Sequence, residues 1–504
     1  MSAAEILEVI GLRERVASSA SAVAEVVSAR LEEWRKARSP SQFRAMELEV
    51  AAVAREFADE VVEHVLRDML SDPEFVAPAR LAARSGLGKL RNGGGREVTV
   101  TLLGGRKARV IADYLRPDLR GRPGPRRGSG RRGKGGAGVY PALAALGIHF
   151  GATPALVAEV VRQVADSDSV RTGRAALERR GIDLEYKQTL RIVNAFGARA
   201  VEHRDQWLLD VLEGRAQVPG GLAGKKVVVA ADGGRVRERV PLPGRRKASG
   251  HHGFDTPWIE PKLFTIYVID AKGKVDATVR PIHDGTLDDA NTACTMLVAY
   301  LKALGAADAK HLTIVADGAK WIWDRAPDIA RWVGIQAERV TEIIDWYHAV
   351  EKLGEVASTN KTSCPAEREA WTARAKKALA AGDIAGVMAC FDEIAIGRRA
   401  REVNKHRDYF LRNSERMQYA HFKQRNLPIG SGAIESAIRM IVNMRLKAPG
   451  TFWLRENAQA MLLIRSYLKA NRFDDLFDWS TTQAAWWWEP GHDYAPCAPT
   501  GAAV

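Results

Sequence analysis

Three carboxylates stand where a chain could hold divalent cations. Asp317 ends the apolar run His311-Leu-Thr-Ile-Val-Ala-Asp317-Gly, and Asp232 ends a run of the same form, Lys226-Val-Val-Val-Ala-Ala-Asp232-Gly-Gly. Glu435 follows Leu427-Pro-Ile-Gly-Ser-Gly-Ala-Ile, just inside a predicted helix. Hard cations take oxygen ligands, and a pair of them can stabilise an in-line displacement at phosphorus. Burying three carboxylates without cations would be costly, because like charges repel and desolvation disfavours ionisation. Taken singly, each has a plainer reading: an Asp before Gly serves a turn, and a Glu in the first turn of a helix suits the helix dipole.

The partner such chemistry would need is a polyanion. With 75 Lys and Arg against 61 Asp and Glu, the 504-residue chain carries a formal charge of +14, which favours nucleic acid. Residues 116–138 concentrate this charge: Arg116, Arg120, Arg122, Arg126, Arg127, Arg131, Arg132 and Lys134 lie among glycines and prolines, with Asp118 the single acid. Such a segment cannot bury enough apolar surface to fold alone, so it reads as an arm that neutralises phosphates or as a solvated linker. Four cysteines, none in a CxxC pair, indicate neither a disulfide framework nor a cysteine zinc site. The N-terminus lacks the form of a secretory signal and no uncharged apolar run reaches membrane-span length. The expected location is the cytoplasm, in association with the nucleoid.

The elements that would position the carboxylates follow from periodicity. The pattern divides the chain into a helical region (1–96), a hairpin turning at Gly104-Gly105 and the basic arm (97–138), and a helical segment (139–222). The last could form a helix-turn-helix presenting Lys187, Gln188 and Arg191, or simply three packed helices. From 223 to 345 strands are expected at Val227–Ala231, Arg235–Val240, Leu263–Asp270, Val275–Pro281, before Asp317 and over Arg339–Asp345, with helices over 287–304 and through Trp321 and Trp332. Residues 346–425 read as an all-helical insertion, 426–480 as the return to the core with the Glu435 helix, and 481–504 as an irregular tail. The fold class is multi-domain α/β, a mixed sheet with helices on its faces.

Taken in order, these stretches resemble the bacterial insertion-sequence transposases of the DDE type, of the Mutator-like group. The resemblance rests on Ala231-Asp232-Gly-Gly-Arg-Val-Arg, Val315-Ala-Asp317-Gly-Ala-Lys-Trp-Ile-Trp, Ile344-Asp345-Trp-Tyr-His348-Ala, and Ile429-Gly-Ser-Gly-Ala-Ile-Glu435 continuing through Asn443-Met-Arg445-Leu-Lys447-Ala-Pro-Gly450-Thr-Phe-Trp453. It covers about 225–470 well and the N-terminal third more loosely. It implies an RNase-H-like catalytic domain interrupted by a helical insertion. Asp232, Asp317 and Glu435 would bind two Mg2+ or Mn2+ ions and catalyse cleavage and strand transfer of DNA. The implied partners are double-stranded DNA (terminal inverted repeats and target) and further copies of the chain. Asp345 and His348 would support the metal ligands, and Arg445 and Lys447 would contact phosphates. Trp453 is read as core, with base stacking as the alternative. Arg235, Arg237 and Arg239 alternate on one strand face beside Asp232, reading equally as phosphate contacts or a solvated face. The paired cysteines often found in relatives near Tyr114 are missing here, so a zinc ribbon is not expected. The rival classes are a nuclease or resolvase without strand joining, and a DNA-binding protein descended from a transposase.

Overall fold

The computed structural model describes residues 3–87, 89–117, 138–216, 220–244 and 253–481. Two compact units emerge: residues 1–199 with a short stretch beginning at Phe477, and residues 200–476.

The first unit opens with helices α1 (Ala3–Trp34), α2 (Pro40–Ser71) and α3 (Pro73–Leu87), followed by the antiparallel strands β1 (Leu90–Thr101) and β2 (Lys107–Pro117). The hairpin starts at Leu90, inside the region expected to be helical, with a register irregularity between Asn92 and Gly95. The run Asn92-Gly-Gly-Gly hides this strand from hydrophobic patterning. Its turn does fall at Gly104-Gly105, where Gly105 adopts φ +101°, a conformation L side chains rarely take. The Asp59 carboxylate of α2 accepts both Gly104 N–H and Arg106 N–H at 2.9 Å. Leu66 of α2 packs with Val100, Leu102, Ala108 and Val110 of the hairpin in one apolar cluster. Helices α4 (Pro141–Ala145), α5 (Pro154–Asp166), α6 (Val170–Glu178) and α7 (Tyr186–Leu212) follow. Of the residues expected to read DNA, Lys187 and Arg191 are exposed, whereas Gln188 Nε2 donates to Phe150 O at 2.8 Å.

The second unit is built on a five-stranded mixed sheet. In chain order its strands are β3 (Lys226–Gly233), β8 (Lys262–Ile269), β9 (Ile282–Thr286), β10 (His311–Ala316) and β11 (Val340–Ile344). They lie in the order β11-β10-β3-β8-β9. β3, β8 and β9 run antiparallel, while β10 is parallel to both β3 and β11. Val227 to Ala231 and the whole of β10 are buried, as expected of strands covered on both faces, and each Val or Ile so enclosed contributes about 1.5–3 kcal/mol. Between β3 and β8 the chain leaves the sheet as a ribbon of short strands, β4 (Val236–Arg237), β5 (Val240–Pro241), β6 (Phe254–Asp255) and β7 (Trp258–Ile259), with β4 paired to β7 and β5 to β6.

One expected strand is displaced. Residues 275–281 form turns, with a single bridge from Val275 to Ile269; the strand is β9, Ile282-His-Asp-Gly-Thr, wholly buried despite its polarity. Asp284 is satisfied in place: it accepts Arg204 Nη1 at 2.9 Å and the Tyr300 hydroxyl at 2.8 Å.

Helices α8 (Ala290–Ala303), α9 (Lys320–Trp323) and α10 (Ala326–Val333) connect the later strands. After β11 the chain is helical through α11 (Trp346–Thr359), α12 (Pro365–Ala381), α13 (Ile384–Ile394), α14 (Ala400–Arg412) and α15 (Tyr419–Gln424). It returns to the sheet as α16 (Gly432–Ile438), which continues as a π-helical turn over Arg439–Asn443, then α17 (Arg455–Lys469) and α18 (Phe473–Thr481). α16 packs on β3 and β8, and α17 on β9.

Candidate functional site

Strand register assembles the acidic cluster. Ala231 pairs with Ala316, and Ala316 with Ile344. The next residue on each strand is a carboxylate: Asp232, Asp317 and Asp345 line the C-terminal edge of three neighbouring parallel strands, where open α/β sheets place their sites. α16 packs on β3, and its Glu435 comes close to Asp345 and His348 and within electrostatic reach of Asp232.

Backbone donors pin the first two carboxylates by one oxygen each. Asp232 Oδ1 accepts Gly233 N–H at 2.6 Å, and Asp317 Oδ1 accepts Ala319 N–H at 2.9 Å. Burial pushes the Asp232 carboxyl up to about 6, and the negative charges of Asp317 and Glu435 push the same way. The donors of the cluster are hard oxygens, the set that suits Mg2+ or Mn2+.

Asp345 plays a different part from the other two. It is fully enclosed (0 % exposed) and caps α11, its Oδ1 accepting His348 N–H at 2.7 Å and lying 3.2 Å from His348 Nδ1. Its Oδ2 accepts Ser431 N–H, and Ser431 Oγ donates to Glu435 Oε1 at 3.0 Å. Burial opposes ionisation of Asp345, but the bonds from His348 and Ser431 outweigh it and hold the carboxyl at about 2. The same bond raises His348 to about 9, with smaller contributions from Asp317 and Asp232. Both shifts favour an imidazolium against a carboxylate.

Ligand atoms of Asp345, His348 and Glu435 lie within 4.8 Å of one another, a grouping that could hold a metal. Both Asp345 oxygens accept N–H donors and His348 Nδ1 lies against Oδ1, so the trio is also a hydrogen-bonded brace. Its cross-tie is Trp346 N–H to Ile429 O at 2.9 Å. The helical segment 346–428 thus leaves and re-enters the core at one hydrogen-bonded neck, three residues ahead of the Glu435 helix. Its α14 also reaches the acidic cluster: the Tyr409 ring packs so closely on Gly318 that a Cβ there would sit 2.1 Å from it.

The remaining expected contacts divide. Lys447 is exposed. Arg445 is not placed to meet phosphate from the surface: it is 3 % exposed, with its guanidinium 4.9 Å over the Trp453 ring. Trp453 is half-buried, with its Nε1 donating to Leu446 O at 3.2 Å. Arg122, Arg126, Arg127, Arg131, Arg132 and Lys134 lie outside the described residues, as does the tail from 482. Ser431, the link between Asp345 and Glu435, was overlooked in the sequence; a Ser four residues ahead of a helical Glu, at the start of that helix, was the available signal.

No protein-family model and no curated protein matches the chain. No helix among the described residues is long and apolar enough to cross a membrane.

Proposed function

We propose that the chain is a DDE-type transposase, which binds the ends of a mobile DNA element and cleaves and joins DNA strands with two divalent metal ions. The observation that carries this reading is the register that sets Asp232 beside Asp317, with the Glu435 helix packed on the same strand. The sheet order, with three antiparallel strands followed by two parallel ones, supports an RNase-H-like core, and the helical segment between β11 and α16 supports an insertion ahead of the glutamate.

In this reading Asp232, Asp317 and Glu435 hold the Mg2+ or Mn2+ pair. When bound, the ions supply Lewis-acid stabilisation to the attacking and leaving oxygens of an in-line displacement. The chain's own residues do the positioning. Gly233 N–H and Ala319 N–H fix one oxygen of each aspartate, and Ser431, held by Asp345, orients Glu435. The His348 imidazolium keeps positive charge beside the cluster. Self-association on DNA and recognition of inverted repeats belong to the same proposal.

The test is cleavage and strand transfer in vitro, using the DNA that flanks the coding region as substrate and Mg2+ as the added ion. Nicked and joined products that vanish in Glu435→Gln support the reading. Nicking without joining makes the protein a nuclease or resolvase, and binding without nicking makes it a DNA-binding protein.

A further inference from the structure

Two of the three arginines beside Asp232 have partners that their spacing alone did not suggest. Arg237 pairs directly across the ribbon with Trp258, and its guanidinium lies 4.9 Å from that ring's centroid. Arg239 sits 4.4 Å over Phe254 and 6.0 Å from Phe452, and those two rings are 4.8 Å apart. Arg235, exposed, stands just ahead of β4. The rings are open to solvent: Trp258 is 51 %, Phe254 37 % and Phe452 40 % exposed. Segment 452–454 is fastened to the ribbon's edge, Trp453 N–H donating to Arg237 O at 2.9 Å and Arg239 N–H to Trp453 O at 2.7 Å.

Phe254 and Phe452 make a contiguous exposed apolar surface, and such surfaces mark interaction sites. A cavity-filling role is excluded by their exposure. Among the described residues none of the three arginines forms an ion pair. Glu238, which lies between two of them, is engaged instead by Arg455 at 3.3 Å. The face thus combines unneutralised positive charge with flat apolar surfaces at alternate positions. Duplex DNA hides its bases in the stack, whereas an unpaired strand offers a base face and a phosphate at every step.

We infer that this ribbon face is a platform for single-stranded DNA, with bases stacking on Trp258, Phe254 and Phe452 and phosphates meeting Arg235, Arg237 and Arg239. The ribbon leaves the sheet immediately after Asp232, so a strand lying on it runs out from the acidic cluster. The inference rests on the proposed DNA reaction for the identity of the strand, but its test does not require cleavage.

Binding of the full-length chain is measured without added metal by fluorescence anisotropy, with a labelled oligothymidylate, an abasic strand of equal length and a duplex. Trp258→Ala combined with Phe254→Ala should weaken binding of oligothymidylate by about tenfold or more. Duplex binding should change less than about twofold, and the wild type should hold the abasic strand about as weakly as the variant holds oligothymidylate. Trp258→Phe, which keeps a ring, should restore most of the loss and controls for folding. Equal losses for single strand, abasic strand and duplex, or no loss at all, overturn the platform. The two proposals fail separately: ring-dependent single-strand binding by a protein that cleaves no DNA sinks the transposase alone, and cleavage by a protein without that binding sinks the platform alone.

Discussion

Replacing Asp345 by Asn tests the brace while leaving volume unchanged. The carboxylate accepts N–H donors on both oxygens. Asn keeps one acceptor and turns an NH2 group toward one of those donors. A carboxyl held at about 2 instead of 3.8 contributes about 2 kcal/mol of stability when ionised. An independent figure, about 1.5–3 kcal/mol for a hydrogen bond to a charged group, agrees in size. The expected loss is about 2–3 kcal/mol, or roughly 5–10 °C in the Tm of the second unit. Its pH dependence identifies the cause. Asp345 has a lowered folded value, so its contribution is present above the ordinary carboxylate value and disappears as pH falls from about 4 to 2. His348 has a raised one, so its contribution is complete below about 6.5 and disappears as pH rises through 9. The gap between wild type and Asp345→Asn should therefore be widest between about pH 4 and 6.5 and narrow toward pH 9. His348→Gln should destabilise less than additively in the Asp345→Asn background, since the two residues share one interaction. Calorimetry of the full chain across this range decides. A Tm change under about 2 °C, or a gap that stays flat from pH 5 to 9.5, refutes the brace.

Asp232→Asn, Asp317→Asn and Glu435→Gln should each abolish Mg2+-dependent cleavage while sparing the fold and DNA binding, measured by nicking assay, melting and gel shift. For Asp232 the raised folded value costs stability above about pH 6, a cost that fades as pH falls toward 3.8. Metal-free Asp232→Asn should thus melt no lower than wild type at pH 7.5, the two should converge near pH 4, and Mg2+ should raise the Tm of wild type alone. Deleting residues 118–137 should weaken binding to all DNA sequences alike, and each lost phosphate contact should lower the log–log salt slope by about 0.9; an unchanged slope makes the segment a linker. Arg398 and Arg401 are exposed, whereas Arg399 is half-buried and donates to Asn360 Oδ1. Changing Arg398 and Arg401 to Glu should therefore impair cleavage of element-end DNA and its footprint while leaving the Tm within about 2 °C; identical footprints and rates would remove the helical segment from DNA contact.

The sheet was legible where side-chain pattern and burial coincide. Val227 to Ala231 is apolar throughout and Leu312 to Ala316 is apolar but for Thr313, so both read as buried strands, and in each the candidate metal ligand stands one residue after the pattern stops, at Asp232 and Asp317. β9 escaped because its burial is supported by an ion pair with Arg204, a residue 80 positions away. Arg445 misled for a related reason: it lies in a basic stretch, but Trp453, eight residues on, comes back over its guanidinium and takes it out of solvent. The site's support followed the same rule. Asp345 and His348, three apart on one helix turn, were visible as a pair, yet what Asp345 does depends on Ser431, 86 residues downstream. That separation is the helical insertion itself, and a segment of this length can be added beside a reacting centre only if its two ends are brought back together. The buried carboxylate at the neck does this, and it does so through the residue that orients Glu435.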